Sequence, residues 1–385
     1  MIETPIITSL LDQDLYTLTV GQVAFKSFST SRTQYQFINR NHTDVPSCFI
    51  DELNHQLELM SNIQLTTPEF EWLKSLGYFH ENYLNWLSDY RFDPSELIIK
   101  QVNKTLTIEI CGDWMRSIMF EVPLLALVSE LYFRLTNKEK CNDWQWRIIN
   151  KAKILSESGC KWIDFGSRRR FSLEVQDEVV RIMANKPGFL GTSNMMLAHK
   201  YGVPPIGTMS HQGPMAMMAK YGIINANRKW MEHWKDCYGE KLLTYLVDTF
   251  TTEVFLRDFN KEDAIEWNLR QDSGNPYDWM EKILLHYNKL GLSTENKTFV
   301  FSDGLTAETY KQISMKYRSS SNIIGGIGTS LSNDCGHDPL NIVIKMISAD
   351  FGKGMIPVVK LSDSLGKYTG NPDTIIKAKQ ELGLQ

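Results

Sequence analysis

The residues best equipped for chemistry fall in short polar, glycine-rich clusters, each following an apolar run. They are Asp164-Phe165-Gly166-Ser167, Gly191-Thr192-Ser193-Asn194, Gly207-Thr208-Met209, Asp248-Thr249, Arg270-Gln271-Asp272-Ser273-Gly274, Ser302-Asp303-Gly304 and Gly325-Gly326-Ile327-Gly328-Thr329. Arg168-Arg169-Arg170 follows the first cluster directly. Cations are unfavourable at a helix start, whose own end is positive. Three of them there suit an anionic ligand better than a solvated charge run. Gly326, Gly328 and Thr329 offer backbone and hydroxyl donors to a phosphate. Asp272 and Asp303 suit ribose hydroxyls or Mg²⁺, and equally suit helix capping. His211 lies in Gly207-Thr208-Met209-Ser210-His211-Gln212-Gly213 among small or polar neighbours. Asp248, at the next apolar run's end, is placed to orient it, and a carboxylate-oriented imidazole is a competent nucleophile or base.

Seven apolar runs carry these clusters: Lys161–Asp164, Gly188–Leu190, Pro205–Ile206, Leu243–Val247, Ile265–Leu269, Thr298–Phe301 and Asn322–Gly325. Amphipathic stretches such as Leu173–Asn185, Pro276–Leu290 and Ala307–Lys316 separate several of them, which is the rhythm of strand–helix units in a parallel sheet. The pattern predicts an irregular, seven-stranded α/β barrel, whose strand tips converge on one mouth. Ahead of it, helical pattern over Leu10–Lys26 and Phe70–Asp89 and a hairpin of Leu97–Gln101 with Leu106–Cys111 predict an N-terminal α+β domain. Two late runs, Asn341–Ile347 and Ile356–Leu361, read as a hairpin that rejoins it. The expected division is 1–140, 141–335 and 336–385, with the polar run Asn137–Asp143 as linker.

Composition sets the outer limits. The 385 residues are 42% hydrophobic and 22% charged, ordinary for a chain with a core, so disorder and fibre are poor readings. A net charge of −4 asks for no nucleic-acid partner. The longest stretch without Asp, Glu, Lys or Arg, Tyr201–Ala219, contains three prolines and cannot be a membrane helix. No two of the six cysteines are spaced as a CxxC pair. Met1–Leu11 has neither a basic nor a long apolar region, so free thiols in the cytoplasm are expected.

Taken in order, eight segments resemble the nicotinate phosphoribosyltransferase family. They are Asp12-Gln13-Asp14-Leu15-Tyr16, DFGSRRRFS (164–172), GTSN (191–194), GTMSHQ (207–212), RQDSGNP (270–276), FSDGL (301–305), GIGTSL (326–331) and KLSDSLGK (360–367). The resemblance implies transfer of phosphoribosyl from phosphoribosyl pyrophosphate to nicotinate, with Mg²⁺, coupled to ATP hydrolysis through a phosphorylated histidine. By that resemblance His211 is the histidine and Asp248 its orienting acid. Phe165 and Tyr16 sandwich the pyridine ring, with Tyr16 supplied by the neighbouring subunit of a homodimer. Arg168 and Arg270 hold the base and the phosphates, while Gly328 and Thr329 form the 5′-phosphate loop. Nicotinamide-using relatives resemble this chain but carry Asp at the position of Ser193. A carboxylate there would repel nicotinate, whereas serine can donate to it. The resemblance thus implies that Ser193→Asp harms nicotinate use far more than folding. Gln212 and Ser330 stand where relatives often have an acidic and a basic residue. A nicotinamide enzyme of the same fold and a phosphate-binding barrel lyase are the alternatives.

Overall fold

The computed structural model describes residues 2–364 and 366–384. Leu365 of the KLSDSLGK segment, Met1 and Gln385 lie outside them. Two sheets organise the chain. The first is antiparallel and contains β1 (Arg32–Asn39), β2 (Leu97–Val102) and β3 (Thr105–Asp113). Alternation puts Leu106, Ile108 and Ile110 of β3 into the core, and Asn103 turns the hairpin at φ 55°, a conformation asparagine tolerates.

The second sheet is parallel: β4 (Trp162–Asp164), β5 (Phe189–Thr192), β6 (Thr244–Leu246), β7 (Asn268–Gln271), β8 (Thr298–Phe301) and β9 (Asn322–Ile327), in the order β5-β4-β9-β8-β7-β6. The chain then returns to the first sheet through β10 (Ile342–Asp350) and β11 (Ile356–Pro357), giving β11-β10-β1-β3-β2. The late hairpin does rejoin the N-terminal strands, with β10 pairing along the whole of β1.

Three expectations need correction. The expected seventh strand, Pro205–Ile206, is reduced to one bridge between Pro205 and Thr192. Ile206 N–H donates to Thr192 O at 2.9 Å, but Pro204 and Pro205 have no N–H to extend a ladder. Toward β6, the Thr208 hydroxyl reaches the Thr244 carbonyl at 2.9 Å. The parallel sheet is thus six-stranded, with a seam at the two prolines. The helix expected over Phe70–Asp89 is two helices, Thr67–Ser75 and Glu81–Asp89, broken where Gly77 takes φ 70°. The run Ile265–Leu269 starts inside a helix, Lys261–Glu266, fixed by a capping box between Asn260 and Asp263.

The segment before the helix Leu15–Ser27 is stitched to the parallel sheet. Leu15 N–H donates to Ser193 O at 2.8 Å, and Met195 N–H to Gln13 O at 2.8 Å. Beneath these bonds Asp12 and Arg170, both fully buried, pair through two contacts of 2.6 Å. Among the described residues no helix is long and apolar enough to cross a membrane.

Candidate active site

His211 ends the loop before the helix Gln212–Tyr221 and is 7% exposed. Its Nδ1 faces the Thr249 hydroxyl at 3.0 Å. Its Nε2 lies 2.7 Å from Lys360 Nζ and 3.1 Å from Asp272 Oδ2. A neutral imidazole has one N–H, so Nε2 either donates to Asp272 or accepts from Lys360. Burial, followed by the Lys360 ammonium, pushes the His211 pKa down to about 4. The ring is therefore neutral near pH 7, with a lone pair available. Asp272 is held well below the usual carboxylate range: burial opposes ionisation, but Arg270, the His211 contact and Lys360 outweigh it. Asp248 is likewise lowered, chiefly by Lys360 against its burial.

The orienting role expected of Asp248 is divided differently. Asp248 Oδ1 is 4.0 Å from His211 Nε2, beyond hydrogen-bond reach. Oδ2 accepts from Ser273 Oγ at 2.5 Å and pairs with Lys360 at 3.2 Å. The groups touching the imidazole are Thr249, Asp272 and Lys360; Asp248 acts on it through Lys360. Lys360 and Thr249 were not among the expected site residues. The signal for Lys360 was its place at the head of KLSDSLGK, on a segment tied to Thr249 by Leu361 N–H at 2.8 Å.

Asp272 also connects this cluster to a cavity of about 670 Å³ bordered by Phe165, Arg168, Arg169, Arg270, Gly328 and Thr329, among others. Arg270 donates to Asp272 Oδ1 at 2.9 Å and to Ser302 Oγ at 2.8 Å, and its guanidinium lies 5.2 Å from the Phe165 ring centre. The turn carrying Phe165 is anchored by Asp164, which accepts from Gly166 N–H, Gln176 and Thr192 at 2.8–3.0 Å. Gly326 has a packing task of its own. It lies within β9, and a Cβ there would stand 2.4 Å from the Phe165 ring, so its missing side chain makes room for that aromatic. Asp303 is outside the cavity's lining and pairs with Lys367 at 3.4 Å.

A second, smaller cavity of about 50 Å³ joins Tyr16, Arg168, His211 and Asp272. Arg168 and Arg270 border both cavities. The Tyr16 ring lies 5.9 Å from the Arg168 guanidinium of its own chain. Its helix is docked on the same chain through Asp14, which accepts from Ser167 and Ser193 hydroxyls at 2.7 Å each. Of the three consecutive arginines, only Arg168 and Arg169 face a cavity; Arg170 is spent on Asp12.

Ser193 borders neither cavity, and its single hydroxyl hydrogen goes to Asp14. The expectation that it donates to a substrate carboxylate is therefore corrected, and so is the expectation that Ser193→Asp spares the fold. That change would set a second carboxylate against buried Asp14, a repulsion of several kcal/mol at ~3 Å and intermediate dielectric. S193D should melt well below S193A, which loses one hydrogen bond of about 1 kcal/mol. Equal melting temperatures for the two variants would remove the Asp14–Ser193 interaction from the account.

Cations gathered at strand tips, beside a neutral buried imidazole, suit a site for small anionic ligands. The chain belongs to the nicotinate phosphoribosyltransferase (NAPRTase) family: residues 160–385 match the family model and residues 11–129 match that of its N-terminal domain. It is 38% identical over 383 residues to a nicotinate phosphoribosyltransferase of Chromohalobacter salexigens, covering 98% of both chains. A second relative of that name, from Desulforapulum autotrophicum, is 39% identical over 377 residues, covering 96% of this chain and 97% of the relative. The crystal structure of nicotinate phosphoribosyltransferase from Porphyromonas gingivalis superposes with a TM-score of 0.96 at 36% identity, covering 98% of this chain and all of the other.

Proposed function

We propose that this enzyme transfers the phosphoribosyl group of phosphoribosyl pyrophosphate to nicotinate, giving nicotinate mononucleotide and pyrophosphate. ATP hydrolysis to ADP and phosphate is coupled to it through phosphorylated His211. One observation carries the reading: Asp272 touches both His211 and Arg270, joining the phosphoryl acceptor to the wall of the larger cavity. In the transfer, the pyridine nitrogen forms a bond to the ribose anomeric carbon as the bond to pyrophosphate breaks, with the electron pair leaving on the pyrophosphate oxygen. The sugar becomes cationic without a protein nucleophile, so the protein's work is positioning and neutralising charge. Arg168, Arg169 and Arg270 suit the anionic groups, and Gly328 with Thr329 suits the 5′-phosphate. Phe165 offers a flat wall to the pyridine from the larger cavity and Tyr16 one from the smaller.

Mg²⁺ belongs to this reading as the companion of the phosphorylated substrates. The grouping of His211, Asp248 and Asp272 does not fit it, because the Lys360 ammonium already lies 2.7–4.0 Å from all three. No step is assigned to the metal. The same reading takes the enzyme as a cytoplasmic homodimer of NAD salvage, divided at 1–140, 141–335 and 336–385, with the proline seam closing the parallel sheet into a barrel.

The test is direct. The protein with ATP and Mg²⁺ should acquire acid-labile phosphate on His211; adding nicotinate and phosphoribosyl pyrophosphate should yield the mononucleotide. Absence of both the phosphohistidine and the product would remove the reading.

A further inference from the structure

Lys345 lies in the middle of β10 and borders the small cavity together with Tyr16, Arg168 and His211. The other charged groups of that cavity are engaged. Glu121 accepts from Gln212 and lies 3.8 Å from Arg168, and Asp272 is held by Arg270, Ser302 and His211. Among the described residues, Lys345 makes no hydrogen bond or ion pair of its own. Glu121 and Asp272 attract it through space, but both carboxylates are already engaged, which leaves the Lys345 ammonium available to an anionic ligand. Burial, then the repulsion of Lys360, against the attraction of Glu121, pushes the Lys345 pKa down to about 8, so it still carries its proton near pH 7.

The cavity's dimensions narrow the choice of anion. About 50 Å³ is room for one or two water-sized groups, enough for a carboxylate head or a single terminal phosphoryl group. Met209, Met215 and Leu246 give the rest of the wall an apolar part, as suits a head group carried on an aromatic ring, beside the Ser210 hydroxyl and Gln212. Ser193, whose hydroxyl is given to Asp14, leaves the recognition of a carboxylate to some other residue.

We infer that Lys345 is a substrate-binding residue that takes the carboxylate of nicotinate, and that it sets the preference for the acid over the amide. This rests on the nicotinate reading above. The experiment compares K345M, K345Q and K345R with the unaltered enzyme in nicotinate, nicotinamide and phosphoribosyl pyrophosphate titrations, with His211 labelling by ATP measured alongside. A charge-assisted contact corresponds to a rise of about 10- to 100-fold in KM for nicotinate in K345M and K345Q. K345R should recover most of it. KM for phosphoribosyl pyrophosphate and the labelling of His211 should stay within about twofold, and use of nicotinamide, which has no carboxylate to lose, should not fall.

An unchanged KM for nicotinate in either neutral variant overturns the inference. So does a rise confined to phosphoribosyl pyrophosphate or ATP, which would make Lys345 a phosphate ligand. Failure of the underlying reading looks different: the unaltered enzyme itself would then form no nicotinate mononucleotide.

Discussion

His211→Asn is expected to abolish transfer of phosphate from ATP to the protein, by at least about 10³-fold, the scale on which removing a covalent nucleophile acts. Asparagine is the informative substitution because its amide can still meet the Thr249 hydroxyl that Nδ1 now faces at 3.0 Å. The acceptor is competent for a stated reason. Burial, followed by Lys360, depresses its pKa to about 4, so the ring is neutral and nucleophilic through the physiological range. On the proposed phosphohistidine route, attack would form an N–P bond as the bond from the terminal phosphorus to the ADP oxygen breaks, with the electron pair leaving on ADP. Lys360, at His211 Nε2, and Arg270, on Asp272, are placed to neutralise charge there. The glycosyl exchange needs no nucleophile, so H211N should retain a slow, ATP-independent synthesis of the mononucleotide while losing the ATP-stimulated part.

The same environment fixes a pH dependence. A histidine with its pKa lowered in the folded state loses its lone pair only when pH falls toward about 4, not near the 6.5 of a solvated imidazole. Labelling of the unaltered enzyme should therefore be level from pH 8 to about 5 and decline only below that. A decline centred near 6.5 would place His211 in water and undo the account of its reactivity.

How much of this was legible in the sequence depended on whether the signal was local. The hairpin at Asn103 and the helices Leu173–Met183 and Pro276–Lys289 declare themselves by alternation, capping and period. His211, Asp272, Arg270 and Phe165 were legible because each sits in a polar cluster closing an apolar run. β1, the centre of the antiparallel sheet, was missed, since its partners β3 and β10 lie about 75 and 310 residues away in the pairs Gln36–Glu109 and Gln36–Lys345. The functions of Ser193 and Arg170 were misjudged for one reason. A donor or a cation in a chemical-looking segment serves a ligand only if no protein group already claims it. Asp14 and Asp12 claim these two. Lys345 is the converse: an ordinary strand lysine in sequence, it stands out only because folding sets it beside a cavity, without a hydrogen bond or ion pair among the described residues.

Asp12→Asn should be the most destabilising conservative change among the residues of the sequence segments. Asp12 and Arg170 are both 0% exposed and meet through two 2.6 Å contacts, with Asn194 adding 2.8 Å to Asp12 Oδ1 and Gln176 3.3 Å to Arg170. Removing one partner leaves a buried guanidinium without its counter-charge, at about 3–5 kcal/mol. Asparagine keeps the shape, so the loss measures charge and hydrogen bonding, not a cavity. A fall in melting temperature of ~10 °C is the corresponding scale. A paired D12L/R170M variant should regain part of that loss, because a buried pair gives up solvation that two apolar side chains do not. Function should suffer beyond stability. Asp12 holds the start of the segment that carries Tyr16 to the small cavity, so D12N assayed well below its melting point should show a raised KM for nicotinate. A D12N protein that melts within ~2 °C of the unaltered chain would mean that the Arg170 charge is compensated elsewhere, and that this segment is held by its backbone bonds to Ser193 and Met195 and by Asp14's bonds to Ser167 and Ser193.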